Sequence, residues 1–136
     1  MEKEDKIYIA GHEGLVGSAI FQQLEERGFT QIITKSHSEL DLTNQEQVKI
    51  FFESYNPKYV FLAAGKVGGV YANITYRAEF IYENLTIQTN IIHQSFLQEV
   101  KKLIFFGGIL VHNSLVGSNS INYKMLSLNP KLYIVL

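Results

Sequence analysis

Seven consecutive residues carry the strongest chemical signal in the chain: Gly11-His12-Glu13-Gly14-Leu15-Val16-Gly17. They follow the apolar run Lys6 to Ala10 and lead into an amphipathic stretch, Leu15 to Arg27, so they fall where a strand must turn into a helix. At that junction each glycine has a separate use. The first allows the tight turn, the next lets backbone N–H groups approach a pyrophosphate, and the third lets the helix pack closely on the strand. The helix N-terminus then faces the phosphates with its unpaired N–H groups and positive dipole end. So placed, the triplet favours nucleotide binding over a purely structural turn. A P-loop is excluded, because Gly65-Lys66 is followed by Val67 and has Val60 where the leading glycine belongs.

Other chemistry-bearing residues are sparse. His12 and His37 fall in loops on the presumed cofactor side, where contact with a phosphate or ribose and simple solvation both remain open. His93 lies in an apolar helical stretch and reads as a packed histidine. None has partners at metal-ligand spacing, so no metal site is expected. The chain has no cysteine, which removes disulfides, thiolate metal sites and a cysteine nucleophile. Gly117-Ser118 lacks the frame of a serine nucleophile elbow.

The elements that must hold the glycine turn are legible as an alternation. Strand-like runs at Lys6–Ala10, Gln31–Lys35, Tyr59–Ala63 and Lys102–Phe106 are separated by helix-like stretches at Leu15–Arg27, Asn44–Ser54 and Tyr76–Gln98. Parallel strands need crossover connections, and helices supply them, so the pattern predicts an α/β, doubly wound parallel sheet of Rossmann type. The expected spatial order is 3-2-1-4 with right-handed crossovers. Asn44, with Gln47 three residues on, predicts an N-cap for the second helix, and Asn56-Pro57 its end. Ile74, Phe80, Ile81, Leu85, Ile87, Ile91, Ile92 and Phe96 form a broad stripe that serves for sheet contact or, in part, for a partner helix.

From Gly107 onward the alternation fails. The expected organisation is therefore a partial dinucleotide-binding domain over residues 1–107 and an irregular tail over 108–136. Within that tail Ile109–Asn129 is expected to be mobile, with any order confined to Leu132–Leu136. Ending the regular pattern at the fourth strand is expected to leave Leu103–Phe106 as an exposed edge prone to self-association.

Composition narrows the partners. Of 136 residues, 46% are hydrophobic and 18% charged, a balance suited to a folded domain. A formal net charge of -1 offers no basic field for a phosphate backbone, so nucleic acid is excluded as the main partner. Met1–Lys6 leads into the first apolar run with neither a signal-peptide core nor a spanning segment, so no membrane association and a cytoplasmic location are expected. The sequons at Asn73 and Asn84 read as inert in that setting.

Three segments carry a resemblance to a known family: Ile7–Ile20, Glu39–Thr43 and Phe61–Asn73. With Tyr76, Phe80–Leu85 and Lys101–Gly107, they resemble the GDP-L-fucose synthases, extended short-chain dehydrogenases of the NAD-dependent epimerase/dehydratase group. The likeness covers roughly Lys6 to Gly107. Lys66-Val67-Gly68-Gly69 and Asn73-x-x-Tyr76 are its most specific parts. It implies a chemistry in which GDP-4-keto-6-deoxymannose is epimerised and then reduced with NADPH, and a homodimer to which the Tyr76–Gln98 region contributes.

Carried over residue by residue, the resemblance implies that Gly11 to Gly17 approach the dinucleotide. Asp41 and Leu42 then lie along its adenine, and Ala63, Ala64 and Gly65 pass under a ribose. Glu13 stands where the family commonly has an arginine suited to the 2′-phosphate of NADP, and Lys35 and His37 are the remaining nearby sources of positive charge. NADP is thus the expected cofactor, held weakly, with NAD as the alternative. Where the family reads Gly-Ser-Ser-Cys-Ile-Tyr-Pro, this chain reads Gly107 to Asn113, with Gly108 at the catalytic serine and Leu110 at the cysteine. No tyrosine has a lysine four residues on. A truncated, catalytically incomplete form is therefore expected. The alternative is a nucleotide-binding or dimer-forming module without catalysis.

Overall fold

The computed structural model describes residues 1–106 and the strands at 126–129 and 132–135. In chain order the elements are β1 (Ile7–Ala10), α1 (Leu15–Glu26), β2 (Ile32–Thr34), α2 (Gln45–Tyr55), β3 (Tyr59–Leu62), α3 (Val70–Thr75), α4 (Arg77–Leu97), β4 (Lys102–Phe106), β5 (Leu126–Asn129) and β6 (Leu132–Val135).

Four strands form the expected parallel sheet, but their order is β2-β1-β3-β4 rather than 3-2-1-4. Ile7 pairs with Ile32 on one side and Tyr59 on the other, and Tyr59 pairs in turn with Lys102. Burial accounts for the difference. All four β1 residues are buried and three of the four in β3 are, so both strands belong inside the sheet. The three β2 residues are only half-buried, which suits an edge. The connection through α2 therefore returns past β1, and the direction of winding reverses between β1 and β3. Strand order of this kind opens a crevice at the carboxyl ends of the two strands where it reverses.

The second departure concerns β4. Its outer edge is occupied by β6, which runs parallel to it with Leu103 opposite Leu132 and Phe106 opposite Val135, and β5 adds antiparallel to β6. The expected bare edge is therefore covered. Leu126–Asn129, within the stretch expected to be mobile, is a strand; the rest of that stretch lies outside the described residues.

Alternation of side chains divides the core in two. Ile7 and Ile9 point to the α1 face with Leu24 and Tyr59, whereas Tyr8 and Ala10 point to the α2/α4 face. There Tyr8 packs on Phe51 at 4.5 Å between ring centroids and meets Phe52 edge-on at 6.0 Å. Burial pushes the Tyr8 hydroxyl far above its ordinary pKa. Ile87 and Ile91 of α4 close this side, while Ile74, Ile81, Leu85 and Phe96 of the predicted stripe stay exposed.

Helix ends follow local chemistry. Asn44 accepts a hydrogen bond from the Gln47 N–H at 3.0 Å, and Asn56 ends α2 in the left-handed region at φ 45°. After α1, Gly28 adopts φ 77°, its N–H donates to the Glu25 carbonyl, and the Phe29 N–H reaches the Leu24 carbonyl at 3.0 Å. This double closure satisfies carbonyls that the helix leaves unpaired. The helical stretch expected over Tyr76–Gln98 is α4, with Tyr76 and Gln98 as its caps, and Tyr76 separates it from the short α3 before it.

Candidate dinucleotide cleft

A cleft of about 550 Å³ opens where the chain leaves β1 and β3. Backbone approach sets its geometry. Gly11 adopts φ 85°, and a Cβ there would stand 2.7 Å from the Ala64 backbone. The Ala63 N–H donates to the Ala10 carbonyl at 2.9 Å, tying the two strand exits together. A Cβ on Gly17 would stand 2.0 Å from the Gly11 carbonyl oxygen, so only glycine lets α1 begin this close to β1. Gly14 caps α1 without any side-chain hydrogen bond, and no acidic residue occupies its first turn. The N-terminal N–H groups of α1 therefore face the cleft without a side-chain acceptor of its own cap.

The structure brings nearly all the sequence-predicted residues to this one cleft. Gly11, His12, Glu13, Gly14, Leu15 and Val16 line it from the turn, Lys35, His37, Asp41 and Leu42 from the loop after β2, and Ala63, Ala64 and Gly65 from the loop after β3. Gly17 lies behind the wall and acts through packing. Leu40, Thr43, Lys66, Val67, Glu83 and Ile87 also line the cleft and escaped the site prediction. For Lys66 and Val67 the signal was present in their direct continuation of Ala63–Gly65. Glu83 stood within the resembling segment Phe80–Leu85 and Ile87 in the apolar stripe of its helix, but neither signal showed that the helix would bring them to the cleft.

Charge in the cleft is mostly committed. Lys35 forms an ion pair with Glu39 at 3.2 Å and sits over the Tyr55 ring. Glu39 accepts from the Ser36 N–H at 2.9 Å and the Ser36 hydroxyl at 2.8 Å. These two bonds, with Lys35 after them, hold its carboxyl down at about 2. Glu39 in turn raises the pKa of Lys35. Asp41 accepts from the Thr43 hydroxyl at 2.7 Å and the Thr43 N–H at 2.9 Å, which lower its pKa, with a smaller contribution from the charge of His37. The Nδ1 atom of His12 is buried without a partner among the described residues, so a polar group of the turn remains to be satisfied.

The far wall is fixed by α4. Asn84 grips the backbone of Lys66 twice, accepting from its N–H at 2.7 Å and donating to its carbonyl at 3.0 Å. Lys66 Nζ bonds Glu83 at 2.5 Å and lies 5.3 Å from the Phe80 ring centroid. Asn90, buried, donates to the carbonyls of Leu42 at 2.9 Å and Thr43 at 3.2 Å. Gly108 and Leu110, aligned with the family serine and cysteine, lie outside the described residues. No helix among the described residues is long and apolar enough to cross a membrane.

Residues 7–114 match the model of the NAD dependent epimerase/dehydratase family. The chain is 54% identical over 112 residues to "Putative GDP-L-fucose synthase 2" of Arabidopsis thaliana, which covers 82% of this chain and 34% of that protein. Among solved structures, "DdhaC" superposes with a TM-score of 0.84 at 52% identity, over 88% of this chain and 35% of that one. "MlghC, GDP-mannoheptose C4 reductase from Campylobacter jejuni with NADP bound" does so at 0.76 and 53%, over 79% and 32%. The chain thus spans about a third of the length of the relatives it matches. A reversed strand order, a glycine turn at the reversal and a sequence match running through both together establish that this chain belongs to the NAD dependent epimerase/dehydratase family.

Proposed function

We propose that this chain binds a nicotinamide dinucleotide, NADP ahead of NAD, in the cleft between the exits of β1 and β3. The observation that carries the reading is that the close approach of Gly11 to Ala64 and of Gly17 to Gly11 sets the glycine turn and the uncapped first residues of α1 along the cleft. Such a surface fits a pyrophosphate, and the uncapped start of α1 adds a favourable dipole. Lys35 and His37 are the groups that would meet a 2′-phosphate, with Asp41 and Leu42 beside the adenine and Ala63–Gly65 beneath a ribose. When bound, the dinucleotide supplies or accepts hydride. A chain in solution with NADPH should show a saturable change in nicotinamide fluorescence; a flat titration with both NADPH and NADH would overturn the reading.

For the whole reaction we propose the setting named by the relatives: a GDP-linked 4-keto sugar, with GDP-4-keto-6-deoxymannose as the specific candidate. The identity to a GDP-L-fucose synthase and to a GDP-heptose reductase is nearly equal, which supports the GDP-sugar class. This chain is proposed to bind without turning over. At the position aligned with the family serine, Gly108 offers no hydroxyl to polarise a carbonyl. NADPH oxidation coupled to GDP-fucose formation would refute that statement.

A second proposal follows from the exposed apolar residues of α3 and α4. Ile74, Ile81, Leu85 and Phe96 lie on faces turned from the core, which supports a homodimer built on this helical region. Sedimentation of wild type and a Leu85→Glu variant tests it, with loss of a wild-type dimer in the variant as the expected result. The proposed location is the cytoplasm, where cell fractionation should recover the chain with soluble dinucleotide enzymes.

A further inference from the structure

We propose that Asn84 and Asn90 of α4 are positioning residues that together set the two loops flanking the dinucleotide cleft. This rests on the dinucleotide reading above and deepens it. The two loops leave different strands, β2 and β3, and each is held by one asparagine of the same helix. Asn84 satisfies both backbone groups of Lys66, a donor and an acceptor at once, as a neighbouring strand would. Asn90 gives its amide hydrogens to two successive carbonyls, those of Leu42 and Thr43. Six residues of helix separate the two, about 9 Å of rise, so a rigid element fixes the spacing between the loops.

The surrounding residues are fitted to this arrangement. A Cβ on Gly65 would stand 2.8 Å from Asn84 Oδ1, so the loop lacks a side chain where the asparagine reaches it. A Cβ on Gly68 would meet Phe80 Cζ at 2.8 Å. Phe80, Glu83 and Asn84 share one face of α4 at the three- and four-residue spacing of a helix, and all three contact the loop. Neither asparagine lines the cleft itself. Their effect on a ligand therefore runs through the loops, and asparagine is suited to it because one neutral amide carries both donors and an acceptor. The substitution Asn84→Asp keeps the acceptor but sets a carboxylate oxygen against the Lys66 carbonyl, so it removes one of the two bonds and spares the other.

The test uses the full chain with Asn84→Ala, the milder Asn84→Asp, Asn90→Ala, the milder Asn90→Ser, and Thr86→Ala as a control whose hydroxyl bonds only within α4. Amide hydrogen exchange is followed at residues 64–67 and 41–44, alongside NADPH titration and thermal midpoint. Asn84→Ala is expected to speed exchange at 64–67 and weaken NADPH about tenfold while leaving 41–44 unchanged; Asn90→Ala should do the reverse for the loops with a similar loss of affinity. The double variant should lose about a hundredfold, since the sites act independently. Loosened loops with unchanged NADPH affinity would overturn the proposal. So would faster exchange across the whole sheet in either single variant and in its milder partner, which marks general destabilisation. If wild type binds neither NADPH nor NADH, the dinucleotide reading fails by itself, and loop-selective exchange then decides whether the clamp exists.

Discussion

The Gly11 carbonyl oxygen lies 2.0 Å from where a Cβ on Gly17 would stand, whereas a Cβ on Gly14 would meet the same oxygen at 3.4 Å. Two glycines of one motif thus face the same atom with different tolerance. Gly17→Ala should destabilise the fold by about 1–3 kcal/mol through overpacking and disturb the turn, while Gly14→Ala should change stability by less than about 1 kcal/mol. Urea midpoints of the two variants check this, and equal losses would contradict it.

Glu13 lines the cleft in the turn that faces the phosphates. Replacing it by arginine exchanges repulsion for attraction at an exposed position, so NADPH affinity should rise several-fold and NADH affinity much less, with a gain of about 1 kcal/mol at low salt. The contrast between the two cofactors, and its shrinkage at high salt, is the measurement. A gain equal for NADH would place Glu13 away from the 2′-phosphate.

Glu39 is held from its ordinary 4.5 down to about 2 by Ser36 and Lys35. A carboxyl with a depressed folded pKa favours the native state above its unfolded value and loses that contribution as pH falls through the folded one. Wild type should therefore melt above Glu39→Gln at neutral pH, with the gap closing between about pH 4.5 and pH 2. Thermal midpoints across that window test the sign, and a gap that widens on acidification would reverse it.

Glu99 follows α4 at φ 51°, a conformation costly for a residue with a Cβ, and its side chain is exposed. The bonds from the Glu99 N–H to Phe96 and from the Val100 N–H to Ser95 complete the same kind of closure that Gly28 provides after α1. Glu99→Gly should stabilise the chain by about 1 kcal/mol. Chemical denaturation checks it; destabilisation would show that the side chain has an unrecognised partner.

Much of this was readable from local chemistry. The cap at Asn44 and the stop at Asn56-Pro57 depend on a few adjacent residues, and both stand as the sequence implied. The glycine turn was equally local. Strand order was not, because nothing within α2 says whether the chain returns past β1 or continues beyond β2; that choice is made by which strands can bury both edges. Cover of the β4 edge by β6 depended on pairing between distant segments. Asn84 stood out in the sequence only as a sequon and within the resembling segment Phe80–Leu85, and Asn90 not at all, because only the fold shows which loops a polar residue inside a helix meets. Gln94 and Ser95, buried on the same helix, escaped notice for the same reason.

Strand order also bears on how the chain reaches its native state. The inner strand β1 precedes the others in the chain, yet one neighbour is β2 across a whole helix and the other is β3, which follows a second helix. Each ladder among β1 to β4 joins residues separated by at least one complete crossover, so closure entropy must be met before any of these pairings rewards it. Assembly is consequently expected to be slow for a chain of this size. During synthesis, Ile7–Ala10 remains an apolar segment with an open edge until Tyr59–Leu62 has emerged, which makes the stretch between them the interval of greatest exposure to chaperones and to aggregation.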